Sequence, residues 1–167
     1  MKAKKWLGLV AAMTVAVMGF AGAASAKTFI SIATGGTAGT YYPIGGAIAQ
    51  AVSKGSDIQA TAETSNASVA NINLLAKGDI EVAMVQNDIT FWALNGKMMF
   101  KTPMKNIRAI AALYPEHVQL VTTKASGIKT IADLKGKRVS VGAPGSGVEG
   151  DLRYIFQVVG LSYQDMR

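Results

Sequence analysis

The sequence predicts an α/β protein built around mostly parallel strands. Strand-like and helix-like segments alternate from Thr28 onward, and the loops that lead from strand to helix are rich in Gly, Ser and Thr. Such alternation favours a parallel sheet, because parallel neighbours need a crossover connection, which is usually a helix. Half of the 167 residues are apolar, so one buried core can form without disulfides.

Three strand–helix units open the chain. Pro43 stands at the first position of the first predicted helix, where the missing N–H has no intrahelical role. The second helix repeats apolar residues on one face and is followed by Gly78, while Gly96 follows the third helix. The units are strand 28–34 with helix 43–54, strand 58–64 with helix 65–76, and strand 80–85 with helix 88–94.

The second half of the chain continues the alternation less regularly. A basic linker, 97–105, precedes two β-rich runs that are interrupted by Tyr114-Pro115-Glu116. A helix of one or two turns ends at Gly136, and a loop centred on Gly145-Ser146-Gly147 separates a short buried strand from the last helix. The predicted strands are 107–113, 118–123 and 138–142, and the predicted helices are 130–135 and 148–159.

The N-terminus predicts a cleaved secretory signal peptide over residues 1–26. Lysines within the first five residues precede the uncharged apolar run 6–20, which leads into Ala24-Ser25-Ala26. This A-x-A site suits a signal peptidase, and cleavage makes Lys27 the new N-terminus. The alternative is a transmembrane anchor, because the uncharged stretch is long enough to span a bilayer. Its final part consists of small residues rather than Leu or Ile, which favours cleavage and a protein that works outside the cytoplasm.

Composition excludes several classes of function. The chain has no cysteine, which rules out a lipid-tethered cysteine, a disulfide framework, thiol catalysis and a Cys-ligated metal. Three of its 17 basic residues belong to the predicted signal, which leaves 14 against 10 acidic residues and a net charge of +4. Because this excess is mild and contains no Lys/Arg run, we predict no nucleic-acid partner.

Three loop–helix junctions predict anion binding. The loop 34–43 contains three glycines and two adjacent tyrosines, and the segments 65–68 and 145–147 open later helices. A helix N-terminus offers unpaired N–H groups and partial positive charge, which suit a carboxylate or phosphate. Ordinary N-caps and turns are the alternative, and for Ser68 alone they are favoured. The first loop is not a dinucleotide fingerprint, since Gly35-Gly36-x-x-Gly39 departs from G-x-G-x-x-G.

Signals of catalysis are weak. His117 is the only histidine, and neither a Ser-His-Asp order nor an H-E-x-x-H motif is present. Asp79 and Glu81 flank a predicted strand and suit solvated positions. The sequence therefore indicates no enzyme, no cofactor and no metal site.

A series of short motifs runs along the chain, over residues 34–43, 64–71, 85–88, 113–116 and 142–147. Together these segments resemble the TAXI solute receptors, which are the binding subunits of one branch of the TRAP transporters. The resemblance covers Thr28 to the end and is specific as a series. Its pattern usually has glycine where this chain has Asn66 or Ala67. A further segment, 131–139, is similar to one common to many periplasmic binding proteins.

The resemblance implies a periplasmic-binding-protein-like α/β fold of type II, a Venus flytrap whose two lobes hold the ligand between them. It divides the chain into a signal peptide (1–26), a first lobe (27–123) and the start of an incomplete second lobe (124–167). Members of that family are longer, and the strand 138–142 lacks most of a sheet, so we expect a truncated chain. If the chain ends naturally at Arg167, a nonfunctional remnant is the alternative.

Ligand contacts are expected where loops meet helix starts and near the lobe crossing. Backbone amides and Thr hydroxyls of the first loop would hold a carboxylate, and Tyr41 would wall the cleft. Asp88 is alternatively an N-cap, Asn71 a polar face position, and Glu116 either an acceptor for a ligand ammonium or a residue that pins the hinge. The candidate residues are Gly36, Thr37, Gly39, Thr40, Tyr41, Ser68, Asn71, Gln86, Asp88, Tyr114, Glu116, Ser146 and Gly147.

The resemblance implies a periplasmic receptor that delivers a small organic anion or an amino acid, glutamate-like, to the membrane subunits of a TRAP transporter. A related type II binding protein of an ABC importer or a sensor kinase is the alternative, because the lobes would look alike. An enzyme on the same fold ranks lowest, since Glu116, Asp88 and His117 have no visible catalytic partner.

Overall fold

Three parallel strands form the sheet within residues 27–167, which are the residues that the computed structural model describes. The strands are β1 (Thr28–Ala33), β2 (Ile58–Glu63) and β3 (Val82–Ala83), in the order β2-β1-β3. Thr28 pairs with Ile58, and Ile32 pairs with Val82. Because all three run parallel, their carboxyl ends share one edge of the sheet, where ligands bind in open α/β folds.

Within the described residues, four α-helices follow the predicted alternation, each starting within three residues of its predicted position: α1 (Tyr41–Gly55), α2 (Ser68–Lys77), α3 (Asn87–Asn95) and α4 (Gly147–Val158). Gly78 and Gly96 end α2 and α3 in the left-handed conformation, as the sequence predicts. Helix α1 starts two residues before its predicted start, so Pro43 lies in its first turn, where an N–H has no intrahelical acceptor. Short 3₁₀ helices cover Lys124–Ser126, Ile131–Leu134 and Tyr163–Asp165.

The core has two parts. The first joins α1 to the sheet through Ile32, Ala49 and Ala60, which are each less than a tenth exposed. The second lies among α2, α3 and the chain that follows them: Ile72, Ile89, Trp92, Ala93, Phe100 and Ile107. Together they hold the helix N-termini at the carboxyl edge of the sheet.

Three strand predictions are wrong within the described residues. The runs 107–113, 118–123 and 138–142 have no regular secondary structure, and the sheet contains only β1 to β3 there. Ile110 is 82% and Val121 is 85% exposed. Strand propensity describes how a side chain fits a pleated surface, and these runs have no neighbouring backbone to complete a ladder.

The predicted signal peptide, residues 1–26, lies outside the described residues. Across residues 27–167, no helix has the length and apolar character needed to cross a bilayer.

Candidate functional site

The N-terminal ends of α1 to α4 meet at the carboxyl edge of the sheet. Ser68, the first residue of α2, lies at the centre and is only 1% exposed. Its Oγ lies 3.4 Å from the Tyr41 Oη on α1 and accepts a hydrogen bond of 3.1 Å from the Gln86 backbone N–H at the start of α3. Within the described residues, neither Thr40 nor Ala67, the N-caps of α1 and α2, makes a side-chain capping bond. These ends therefore retain the donor character that attracts anions.

Tyr41 links the start of α1 to the segment that follows the second core cluster. It is 8% exposed, and its hydroxyl donates a 2.7 Å hydrogen bond to Glu116 Oε2. Burial, together with the Glu116 carboxylate, raises the pKa of Tyr41 well above its ordinary value, against a lowering contribution from Ser68. Tyr41 is consequently a neutral donor at physiological pH that already holds a carboxylate.

Tyr114 stands near the same pair. Its hydroxyl oxygen is buried and has no hydrogen-bond partner among residues 27–167. Burial and then the Glu116 charge raise the pKa of Tyr114, so it too is a neutral donor. The region around Glu116 thus combines two phenol donors with one exposed carboxylate.

Gln86 connects the start of α3 to α4. Its Nε2 donates a 2.9 Å hydrogen bond to Asp151 Oδ2 on α4. Burial of Asp151, with a hydrogen bond to Asp88, raises the pKa of Asp151 to about 7, and the Gln86 amide opposes that rise. Gln86 is therefore, after Tyr41, the second side-chain donor of the site that already binds a carboxyl group of the chain itself.

Helix α4 approaches this centre closely. Ser146 caps α4 by accepting a 3.1 Å hydrogen bond from the Glu149 N–H, and the Gly145 carbonyl accepts from the Ala70 N–H at 3.0 Å. A Cβ on Gly147 would lie 1.2 Å from Gln86 Oε1 and 3.0 Å from Ser68 Oγ. Only glycine allows the start of α4 to come this near to α2 and α3.

Asn71 stands behind Ser68 and is fully buried. Its Nδ2 donates to the carbonyls of Thr34 and Met84, each at 2.7 Å, and its Oδ1 accepts from the Ser65 hydroxyl. Because both ends of the amide are engaged with the chain, Asn71 ties the ends of β1 and β3 to α2.

The comparison with known families completes the description of the site. A sequence model of the NMT1-like family matches residues 32–167, which include all of these helix starts. The chain belongs to the NMT1-like family. This is a periplasmic solute-binding family, so its members bind small molecules and work with membrane transporters. The mixed α/β architecture of this NMT1-like chain is consistent with part of a periplasmic-binding-like domain.

In this NMT1-like chain, most of the predicted contact residues lie together at the helix N-termini around Ser68. The tip of the first loop lies apart from them. That tip is exposed and closes on itself through a 2.9 Å bond from the Gly39 N–H to the Gly36 carbonyl. Whether any of these residues contacts a ligand stays a prediction. The residues exposed at the tip are Gly36, Thr37, Gly39 and Thr40, and those at or beside the centre are Tyr41, Ser68, Asn71, Gln86, Asp88, Tyr114, Glu116, Ser146 and Gly147.

Asp151 is the residue that sequence reasoning missed. It lies one turn after Gly147, on the same side of α4, and it is 7% exposed. Its spacing of four residues from a predicted contact is the signal that could have identified it.

Two side-chain donors of the site, Tyr41 and Gln86, are engaged by other side chains of the chain. Surface cavities of about 410 and 490 Å³ lie elsewhere, beside Met99 and Phe156 and beside Gln50 and Thr61. At the helix N-termini, by contrast, the hydrogen bonds from Tyr41 to Glu116 and from Gln86 to Asp151 place carboxyl groups of the chain itself on the donors. A ligand at the centre would have to displace them.

Proposed function

We propose that this NMT1-like chain is the periplasmic receptor of a TRAP transporter, binding a small carboxylate or amino acid in a cleft between two lobes. The proposal rests above all on one observation, that the side-chain donors of Tyr41 and Gln86 each hold a carboxylate of the chain itself. Donors that suit Glu116 and Asp151 also suit the carboxylate of a solute, which would replace them. The ends of α1 and α2, which have no side-chain cap, add partial positive charge for the same group.

An amino acid fits this arrangement better than a dicarboxylate. The displaced carboxylates of Glu116 and Asp151, with Asp88 nearby, would stand beside the ligand as acceptors for an ammonium group. Charge-assisted hydrogen bonds of this kind are about twice as strong as neutral ones. A glutamate-like solute carries both a carboxylate and an ammonium group, and it therefore matches both the donors and the acceptors of the site.

Titration calorimetry with matched solutes tests the ligand class. L-glutamate and glutarate carry the same two carboxylates, but only glutamate has the ammonium, so we expect tighter binding of glutamate. If glutarate binds as tightly, the ammonium contact is refuted. If no amino acid or carboxylate binds, the receptor proposal fails.

Two neighbouring tyrosines provide a matched pair of variants. Tyr41→Phe removes the hydroxyl that holds Glu116, whereas Tyr42→Phe removes one from an exposed ring on the same helix. We expect Tyr41→Phe to weaken glutamate binding by about tenfold, the usual effect of losing a hydrogen bond to a charged group, and Tyr42→Phe to leave it unchanged. Equal effects of the two substitutions would contradict a ligand contact at Tyr41.

The division into lobes extends the same proposal. Residues 27–123 would form the first lobe and residues 124–167 the start of the second, in a type II arrangement, with α4 bringing the second lobe to the cleft. The contacts of Gly145 and Gly147 with α2 and α3 support this, because they join the two segments at the proposed ligand position. Lobe closure would then present the loaded receptor to the membrane subunits.

Export of the protein and the type of its membrane partner are tested separately from ligand binding. The intact mass of protein recovered from the periplasm should begin at Lys27, and a mass that begins at Met1 would overturn signal cleavage. A neighbouring gene for a membrane subunit with very many spans supports a TRAP partner, while an ATPase gene would support an ABC importer instead.

A further inference from the structure

The segment that follows α3 carries positive charge and no negative charge. Between Asp88 and Glu116 the chain contains no acidic residue, and every cation in that interval is exposed. We call these cations the basic patch, and they are Lys97, Lys101, Lys105 and Arg108.

The fold gathers the first part of the basic patch at the C-terminal end of α3. The backbone N–H groups of Lys97 and Met104 each donate a 2.9 Å hydrogen bond to a carbonyl in the last turn of α3. The loop between them is fixed from within by Phe100, which is 4% exposed and belongs to the second core cluster. Lys101 follows this buried ring and is itself exposed, so the loop presents its lysines to solvent.

The other two cations lie beside the same helix end. Lys105 Nζ donates a 3.0 Å hydrogen bond to the Leu94 carbonyl, and the Arg108 guanidinium donates a 2.6 Å hydrogen bond to the Lys105 carbonyl. Both acceptors are neutral, and the two salt bridges within residues 27–167 lie elsewhere in the chain. One cation is enough to complement the partial negative charge at a helix C-terminus, so the basic patch exceeds what α3 requires.

Exposed apolar side chains accompany the basic patch. Phe91 is 53% exposed and Met98 is 37% exposed, and the Lys97 ammonium lies 5.5 Å from the centre of the Phe91 ring. The charges alone would also suit an acidic protein. Apolar side chains among lysines favour a lipid surface instead, because such side chains enter the boundary between headgroups and acyl chains while the ammonium groups meet lipid phosphates.

We propose that the basic patch, with Phe91 and Met98, docks this protein on the surface of a bilayer that contains anionic phospholipid. The candidate site lies at the opposite end of α3, where Asp88 stands, so the docked surface and the site are separate. This inference goes beyond the proposed function and does not depend on which solute the site binds.

Vesicle co-sedimentation tests the docking surface directly. The chain is purified after expression with its own N-terminal segment and mixed, without solute, with vesicles of phosphatidylglycerol and phosphatidylcholine in equal parts, or of phosphatidylcholine alone. We expect binding to the anionic vesicles in about 0.05 M NaCl that weakens at least about tenfold in about 0.5 M NaCl, since salt screens exposed charges. The phosphatidylcholine vesicles measure any binding that does not need charge.

A triple variant locates the binding surface. Lysines near an anionic bilayer strengthen binding by about fivefold each, so Lys97→Gln, Lys101→Gln and Lys105→Gln together should weaken binding about a hundredfold. Where circular dichroism shows that this variant does not fold, the double variant without Lys105→Gln keeps the bond to α3 and should weaken binding about 25-fold.

A matched control removes the same charge from exposed positions later in the chain. It should change the affinity by less than about threefold, because it leaves the basic patch intact. The control substitutions are Lys124→Gln, Lys129→Gln and Lys137→Gln.

Equal binding to the two kinds of vesicle would overturn the proposal, as would equal losses in the patch variant and the control. Because no solute is present, these results are distinct from those on ligand binding. A chain that binds no carboxylate can still bind the anionic vesicles, and a chain that binds glutamate can fail to do so.

Discussion

The second turn of α1 contains a pair of adjacent glycines, Gly45 and Gly46, with opposite surroundings, which permits a sharp test of the fold. A Cβ on Gly45 would lie 2.4 Å from the Thr34 methyl group, whereas a Cβ on Gly46 would meet nothing within 4 Å. Ordinary carbon contacts lie at about 3.5 to 4 Å. The same substitution to Ala should therefore have opposite effects at the two positions.

Thr34 cannot move aside easily. It is fully buried at the end of β1, its hydroxyl donates a 2.6 Å hydrogen bond to the Glu63 carbonyl, and its own N–H donates to the same oxygen at 2.9 Å. Rotating the methyl away would break the hydroxyl bond, and retreating would lift α1 from the sheet. Overpacking of this kind costs about 1 to 3 kcal/mol, which outweighs the helix-propensity gain of up to about 1 kcal/mol.

We expect Gly45→Ala to lower the free energy of unfolding by about 1 to 2 kcal/mol, and Gly46→Ala to raise it by about 0.5 to 1 kcal/mol. Urea unfolding followed by circular dichroism at 222 nm measures both, with equal slopes as the condition for comparing midpoints. Because Tyr41 lies one turn before Gly45, the first substitution should also weaken glutamate binding. If the two variants are equally stable, the close approach of α1 to Thr34 is wrong.

Three further predictions concern the same edge of the sheet. Ala67 has φ 67° and ψ −148°, a conformation that favours glycine, so Ala67→Gly should raise the melting temperature by about 2 to 4 °C while Ala70→Gly within α2 lowers it. Asn71→Ala removes the side-chain donor to the Met84 carbonyl and leaves the Thr34 carbonyl with the Ser65 hydroxyl alone, so it should cost about 2 to 4 kcal/mol in urea unfolding, against less than about 0.5 kcal/mol for the exposed Asn73→Ala. Because the pKa of Asp151 is raised on folding from 3.8 to about 7, the folded state binds more protons between these values, and its contribution to stability falls as pH increases across them. Unfolding curves at pH 5 and pH 7 should therefore show Asp151→Asn gaining stability relative to wild type at the higher pH, and a constant difference would contradict this.

Local chemistry made the N-terminal strand–helix units predictable. The ends of α2 and α3 follow from Gly78 and Gly96, which adopt left-handed conformations that cost other residues energy, and the start of α4 follows from the Ser146 cap. The turn before α2, where Ala67 has a positive φ, also left a signal in the sequence, because the TAXI pattern usually has glycine where this chain has Asn66 or Ala67. Each of these signals acts over a few residues, so a single sequence displays it.

Strand formation in the second half was not predictable in the same way. The runs 107–113 and 118–123 have the composition of strands, but a strand needs another backbone beside it, and residues 27–167 provide none there. The roles of polar residues depended equally on distant partners. Asn71 sits on a helix face like any polar residue, and only the carbonyls of Thr34 and Met84 make it a buried tie.

The sequence by itself determined the α/β class, the three parallel strand–helix units and the gathering of helix N-termini at one edge of the sheet. These follow from periodicity, caps and the geometry of parallel crossovers, which are properties of neighbouring residues. Only the tertiary structure decided that Tyr41 holds Glu116 and that Gln86 holds Asp151. These contacts join residues that are 65 and 75 positions apart, and packing of the helices, rather than any local preference, brings them within hydrogen-bond distance.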